Sequence, residues 1–216
     1  MDVYEALYTT RAMRRLGPDP VSMDVQARIL DAAIRAPNIG QQWRFILVDD
    51  REVISRLAPL YERAFEQLLE SYGSSIDGML QAEGEMGRAA RSGIHLARNF
   101  GSVPLVLIGF GKTREGSGVL PAVWSAMLAA RAEGIGSTLT GVLQSYFKDE
   151  LFETLGVPAD EGWHCHGVVT MGYPTGKWAI APRLPVQEVA GRNTWTGDLG
   201  FAVDKPLWPN ETSRRK

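Results

Sequence analysis

Cysteine is almost missing from this chain: Cys165 is the one such residue in 216. No internal disulfide can form, and the usage fits a reducing, cytoplasmic setting. Long apolar runs are missing too. The longest, Val103-Pro104-Leu105-Val106-Leu107-Ile108-Gly109-Phe110, falls far short of a bilayer's thickness, so no membrane span is expected. The first residues show no basic stretch followed by an apolar one, and a secretory leader is therefore not expected either. The net charge of −2 gives no general attraction for nucleic acid, so a bound anion would have to be held by local charge.

Several catalytic signatures are also absent. Gly109-Phe110-Gly111-Lys112-Thr113 has the end of a phosphate loop, but Val106 stands where that loop needs its first glycine, and a turn is the better reading. There is no dinucleotide-binding glycine fingerprint. Gly136-Ser137 lacks the following glycine of a nucleophile elbow, and no histidine or acid is spaced to complete a triad. His164-Cys165-His166 invites a metal reading. In a strand, however, residues 164 and 166 share a face and Cys165 takes the other, so ordinary strand residues are expected and no metal site. No catalytic side chain is assigned.

What is present describes a single folded body. With 44% hydrophobic and 22% charged residues, the chain can bury one sizeable core. Helical spacing runs through Asp24–Arg35 with Ser22 as a possible cap, through Arg51–Ser71, through Pro121–Glu133 and through Gln144–Leu155. Strands are expected at Ile46–Val48, Val103–Phe110 and Trp163–Met171. Tyr72–Gly93 is rich in Gly, Ser and Glu and reads as poor core material, with Ile94–Phe100 the end of a helix. There are no repeats. Residues 1–190 are expected to form one domain, and 191–216 an extension. That extension carries Trp195, Leu199, Phe201 and Trp208 among prolines and glycines, too apolar to be left in water.

Four stretches stand out in order. Arg11-Ala12-Met13-Arg14-Arg15 places three guanidiniums at the edge of a core, and their forked donors suit a phosphate. After the helix-ending Pro37 comes Asn38-Ile39-Gly40-Gln41-Gln42-Trp43. Gly134-Ile135-Gly136-Ser137-Thr138-Leu139-Thr140-Gly141 follows an apolar helix, with Gly134 as its cap and small residues that let backbone approach a flat ring. Last come Gly172-Tyr173-Pro174-Thr175-Gly176-Lys177 and Arg183-Leu184-Pro185-Val186. In this order, from about Val3 to Val189, the chain resembles the FMN-dependent nitroreductase family.

The resemblance implies an α+β three-layer sandwich: a mixed, mainly antiparallel sheet flanked by helices, with an extended C-terminal arm. It implies FMN held at Arg11, Ala12, Met13, Arg15, Asn38, Gln41, Leu139, Thr140, Gly141, Lys177 and Arg183. Arg11, Arg15 and Arg183 would face the phosphate, and Leu139, Thr140 and Gly141 the ring. Asn38 departs from the family's usual Ser, in a shorter loop. The implied activity is hydride transfer from NAD(P)H through FMN to an electrophile such as a nitroaromatic or quinone, by a ping-pong route in a homodimer. The cofactor itself carries the chemistry. The alternatives are a specialised flavoenzyme of the same fold (a dehalogenase, a flavin-degrading enzyme or an oxygen-using dehydrogenase) and a non-catalytic flavin-binding protein. The Tyr72–Arg91 region carries no readable specificity.

Overall fold

Capping side chains start half of the α-helices among the described residues. In the computed structural model, which describes residues 1–209 and all their side chains except that of Glu85, Asp2 caps helix α1 (Val3–Thr9) and Ser22 caps α2 (Met23–Ala33). Asp50 caps α3 (Arg51–Ser71) by accepting hydrogen bonds from the amides of Glu52 and Val53. The chain separates into two units: Ala12–Lys177 is one, and Met1–Arg11 with the residues from Trp178 onward is the other.

In the larger unit, strand β1 (Trp43–Val48) precedes α3. Helices α4 (Ile76–Gln81) and α5 (Gly84–Asn99) follow, then a short 3-10 turn at Phe100–Ser102. Next come β2 (Leu105–Gly111), α6 (Leu120–Ala132), β3 (Gly136–Thr140), α7 (Val142–Tyr146), α8 (Lys148–Leu155) and β4 (His164–Gly172). The four strands form one sheet in the order β1-β2-β4-β3, and each neighbouring pair is antiparallel.

Alternation along β2 sorts two cores onto the two faces of this sheet. Val106, Ile108 and Phe110 join Val168 in packing against α3, α5, α7 and α8. Leu105 and Leu107 join Val169 and Met171 in packing against α2 and α6. The result is the three-layer arrangement expected from the sequence. Gly109 pairs with Gly167 but Phe110 with Cys165, so His166 is the extra residue of a bulge in β4.

The structure departs from the sequence reading at two helices. Tyr72–Gly93, poor core material for which the sequence suggests no element, holds α4 and most of α5. The glycines that weakened the helical pattern serve packing. A Cβ on Gly93 would come within 2.7 Å of the Phe65 ring, so its absence lets α5 lie against α3. Gln144–Leu155 is not one helix, because the chain breaks at Phe147 into α7 and α8. Phe147 is buried, with the Arg63 guanidinium 4.6 Å over its ring, and that anchorage overrides helical continuity.

Cys165 packs against the core formed with α3, as strand alternation requires. Burial pushes its thiol up to about 12, so it stays protonated and unreactive. The folded protein is expected to resist labelling by Ellman's reagent and to react fully once unfolded in guanidinium; stoichiometric labelling of the native chain would contradict this placement.

The smaller unit is built from α1 and the C-terminal residues. The Tyr8 and Trp208 rings lie 5.8 Å apart, and Gln187 ties the tail by donating to Asp204 and accepting from the amide of Val203. Residues 210–216 of the expected extension lie outside the described residues. Among the described residues, no helix is long and apolar enough to cross a membrane.

Candidate functional site

The arginine stretch becomes a site because the sheet takes it up as an edge. Ala12 bridges Ser137 in parallel, and the amide of Met13 donates to the Ser137 carbonyl at 3.0 Å. Beyond it, the carbonyl of Arg15 accepts from the amide of Thr175 at 3.0 Å, and Gly17 donates to Tyr173 at 2.7 Å. The segment is thus held between the start of β3 and the chain leaving β4. Met13 points into the core at 5% exposure. The approach needs Gly136, whose Cβ would lie 2.9 Å from that of Met13.

With Met13 fixed inward, the two following arginines diverge. Arg14 is half-buried near Tyr61, and burial pulls its pKa down from the ordinary value while the Tyr61 phenol pushes the other way. Among the described residues no carboxylate forms an ion pair with Arg14. Tyr61 is itself buried, stacked on Phe100 with ring centroids 4.4 Å apart, and its hydroxyl donates to Thr140 Oγ1 at 3.3 Å. Burial raises the pKa of that phenol; its bond to Thr140 and the charge of Arg14 oppose the rise. The amide of Val142 also donates to Thr140 Oγ1. Arg15 turns the other way and stands exposed, with Nη1 3.2 Å from His95 Nδ1.

Strand β3 carries the expected ring-lining residues at its end. Leu139 is 42% exposed, whereas its neighbours in the strand are buried. An apolar side chain left open on a core strand, followed by the exposed and Cβ-free Gly141, leaves room for a flat apolar ligand against the backbone. Close by, Gln144 has a buried Oε1 without a hydrogen-bond partner.

The structure sets Ala12 and Met13 against the start of β3, whose end holds Leu139 and Thr140, with Gly141 following. Arg15 shares its backbone with Thr175, two residues before the exposed Lys177. Asn38 and Gln41 sit apart. They precede β1, while Thr140 ends β3, and the strand order puts three spacings of about 4.8 Å between those strands. Asn38 instead donates to the Gly118 carbonyl at 3.1 Å, just before α6. Gln41 is exposed in a left-handed conformation, φ 48°.

A half-buried unpaired guanidinium, a Cβ-free backbone edge and an open apolar side chain form the donor set that a flavin mononucleotide needs for its phosphate and its ring, and these residues fit that group. Residues 7–101 match the Nitroreductase family, to which this part of the chain is similar. A protein of Archaeoglobus fulgidus provisionally named an NADH dehydrogenase/NAD(P)H nitroreductase is 28% identical over 174 residues, covering 78% of this chain and 83% of that protein. The fold matches an iodotyrosine deiodinase bound to FMN and 3-iodo-L-tyrosine, with a TM-score of 0.69 at 20% identity, over 89% of this chain and 99% of the other. It also matches a BluB-like flavoprotein of Clostridium difficile 630, TM-score 0.68 at 16% identity, over 90% and 100% of the two chains. An FMN-dependent nitroreductase of Clostridium difficile R20291 gives 0.63 at 18% identity, over 88% and 99%.

Arg11 and Arg183 belong to the smaller unit. Both are exposed. Arg183 donates to the Pro182 carbonyl at 2.8 Å and lines a cavity of about 560 Å³ with Leu7, Tyr8, Leu184, Val186 and Lys205.

Arg14 is one of the three guanidiniums that the sequence sets apart, and in an extended segment it shares a face with Ala12, opposite the inward Met13. Tyr61 lies at core spacing between Leu57 and Phe65 and carried no signal of a site.

Proposed function

We propose that this chain is a flavin oxidoreductase that binds FMN and passes electrons from NAD(P)H to a flat electrophilic acceptor such as a nitroaromatic or quinone. The observation that carries the reading is Arg14, a half-buried cation with no ionic partner among the described residues, held one β-bridge away from the open end of β3. A buried charge is costly unless an opposite charge joins it, and a phosphate monoester supplies one.

In this reading Arg14 is the inner phosphate contact. Arg15 and Lys177, of the same unit, form the outer cationic set; Arg11 and Arg183 stay phosphate contacts that the resemblance alone implies. Leu139 underlies the ring. The backbone at Ala12, Met13, Thr140 and Gly141 lies alongside it. Asn38 and Gln41 sit apart from these residues and remain flavin contacts that the resemblance alone implies. Bound FMN supplies the two-electron chemistry, and no side-chain acid or base is required of the chain. The resemblance adds a homodimer, a ping-pong order and a reducing, cytoplasmic setting to the proposal.

Halide removal is the second reading, favoured by the likeness to the deiodinase bound to FMN and 3-iodo-L-tyrosine. Anaerobic stopped-flow mixing with NADH and NADPH should bleach the oxidised flavin band. Rapid reoxidation by a nitroaromatic or quinone then supports the first reading, and reoxidation by a halogenated phenol the second. A flavin that neither nicotinamide reduces would leave a binding protein.

A further inference from the structure

His166 is the extra residue of the β4 bulge, and its ring is clasped between two stretches of bare backbone. A Cβ on Gly111, at the end of β2, would come 3.3 Å from the ring's Cδ2, and one on Gly116 would come 2.5 Å from Nδ1. Gly116 is buried in a left-handed conformation, φ 66°, which favours glycine. The ring bonds the backbone of Thr113, while its Nε2 is buried and has no hydrogen-bond partner among the described residues. Whichever nitrogen carries the proton of the neutral ring, the charged ring carries one on each. The proton on Nε2 then has no acceptor.

The sheet side of this clasp is rigid. Gly111 pairs with Trp43 on one side and His164 on the other. The loop side can yield, because Thr113, Arg114, Glu115 and Ser117 are exposed. Only the ends of residues 112–118 are tied. Lys112 donates to the Glu161 carbonyl and lies 3.9 Å over the Trp163 ring. The Gly118 carbonyl accepts from Asn38 at 3.1 Å. Between these ends, the Gly116 carbonyl accepts from the amides of Val119 and Leu120, both at 2.9 Å, and so starts α6. Ring, loop and the first turn of α6 are therefore one mechanical unit.

We propose that residues 112–118 form a pH-gated clasp on His166: it closes around the neutral ring and opens when the ring takes up a proton, releasing the first turn of α6. The charged groups around the ring leave this direction intact. Desolvation holds the His166 pKa below its ordinary value; the bond to Thr113 and the charge of Glu115 oppose the fall, and His164 on the same strand adds to it. Lys112 is engaged by Glu161, 3.6 Å away, and Arg114 is exposed to water. From β2 and α6, Gly111 and Val119 bring no charge. The unclasped state binds the proton more readily than the closed one. The clasp is thus complete above the ordinary histidine value of about 6.5 and is lost as the pH falls through the lower value of the closed state.

Amide hydrogen exchange on the purified full-length chain tests this. Protection factors, which divide out the intrinsic pH dependence of exchange, should fall at Val119 and Leu120 by at least about fivefold between about pH 7.5 and about pH 5. That is the low end of what an unsatisfied buried donor costs. Protection at Val106 and Ile108 in β2 should stay constant. The imidazole resonances of His166 in the same unmodified protein should titrate with the same midpoint, a comparison that needs no variant to fold. His166→Gln should hold its protection across the range, and Gly116→Ala, whose Cβ meets the ring, should lose it already at about pH 7.5. His95→Gln and His164→Gln should keep the response. Constant wild-type protection, a midpoint apart from that of His166, a response that survives His166→Gln, full protection in Gly116→Ala, or loss of the response in either of the other histidine variants would overturn the clasp.

Discussion

Replacing Arg14 with alanine weakens FMN binding by about 1.5–3 kcal/mol, roughly ten- to a hundredfold in Kd, the scale of a hydrogen bond to a charged group. The reason is its setting. Arg14 is half-buried beside Tyr61, its pKa is held down by burial, and no carboxylate among the described residues neutralises it. An exposed arginine would give up less, because water and salt screen it. Arg183, exposed and turned to its neighbouring Pro182 carbonyl, should therefore lose less affinity than Arg14 on the same substitution. Fluorescence titration of the apoprotein with FMN measures both. Equal losses, or a larger one at Arg183, would move the phosphate to the smaller unit. Arg14→Lys separates charge from geometry: a point charge that cannot fork should restore part of the loss and not all of it.

Removing the chain from Gly191 onward should weaken self-association by at least about tenfold and lower flavin retention with it. The tail bears Trp195 at 94% exposure, with Phe201 at 60% and Leu207 at 68%. Full burial of each such side chain is worth about 1.5–3 kcal/mol, and even a small realised fraction of the total exceeds a tenfold effect after association costs. So much apolar area on a segment without regular structure is what a second copy would cover in the proposed dimer. Truncation also removes the bonds of Gln187 to Asp204 and Val203 and the contact between Tyr8 and Trp208. Light scattering and flavin absorbance on the shortened protein read the two effects together. A truncated chain that stays dimeric and fully yellow would place the dimer contact on other surfaces.

Most of the sheet and its covering helices were legible because their signals are local. The boundaries of α3 follow from apolar spacing after Asp50, and those of β2 from a continuous apolar run. Strand β1 begins at Trp43 rather than at Ile46, because β2 extends to Gly111 and offers Trp43 a partner that a single strand cannot announce. Helix α5 was hidden by glycines whose purpose is contact with another helix: Gly93 makes sense only once Phe65 is beside it. The break at Phe147 depends on burial under Arg63, a long-range fact.

The site divides in the same way. Ala12, Met13 and the run Leu139–Gly141 are named by resemblance, and the bridge of Ala12 to Ser137 sets the two runs side by side. The choice between Arg14 and Arg15 could not be made from spacing. It turns on which side chain the fixed Met13 sends toward Tyr61 and which toward His95. Asn38 was drawn toward the flavin by resemblance, while its hydrogen bond goes to Gly118.

The central claim is that residues 12–15 and 139–141 build an FMN site. Its most direct test is to release whatever the purified, flavin-reconstituted protein retains and identify it by mass. The account predicts FMN at about one equivalent per chain, no FAD, and loss of most of it in Arg14→Ala. Retention of FAD, or of no flavin at all, would contradict it.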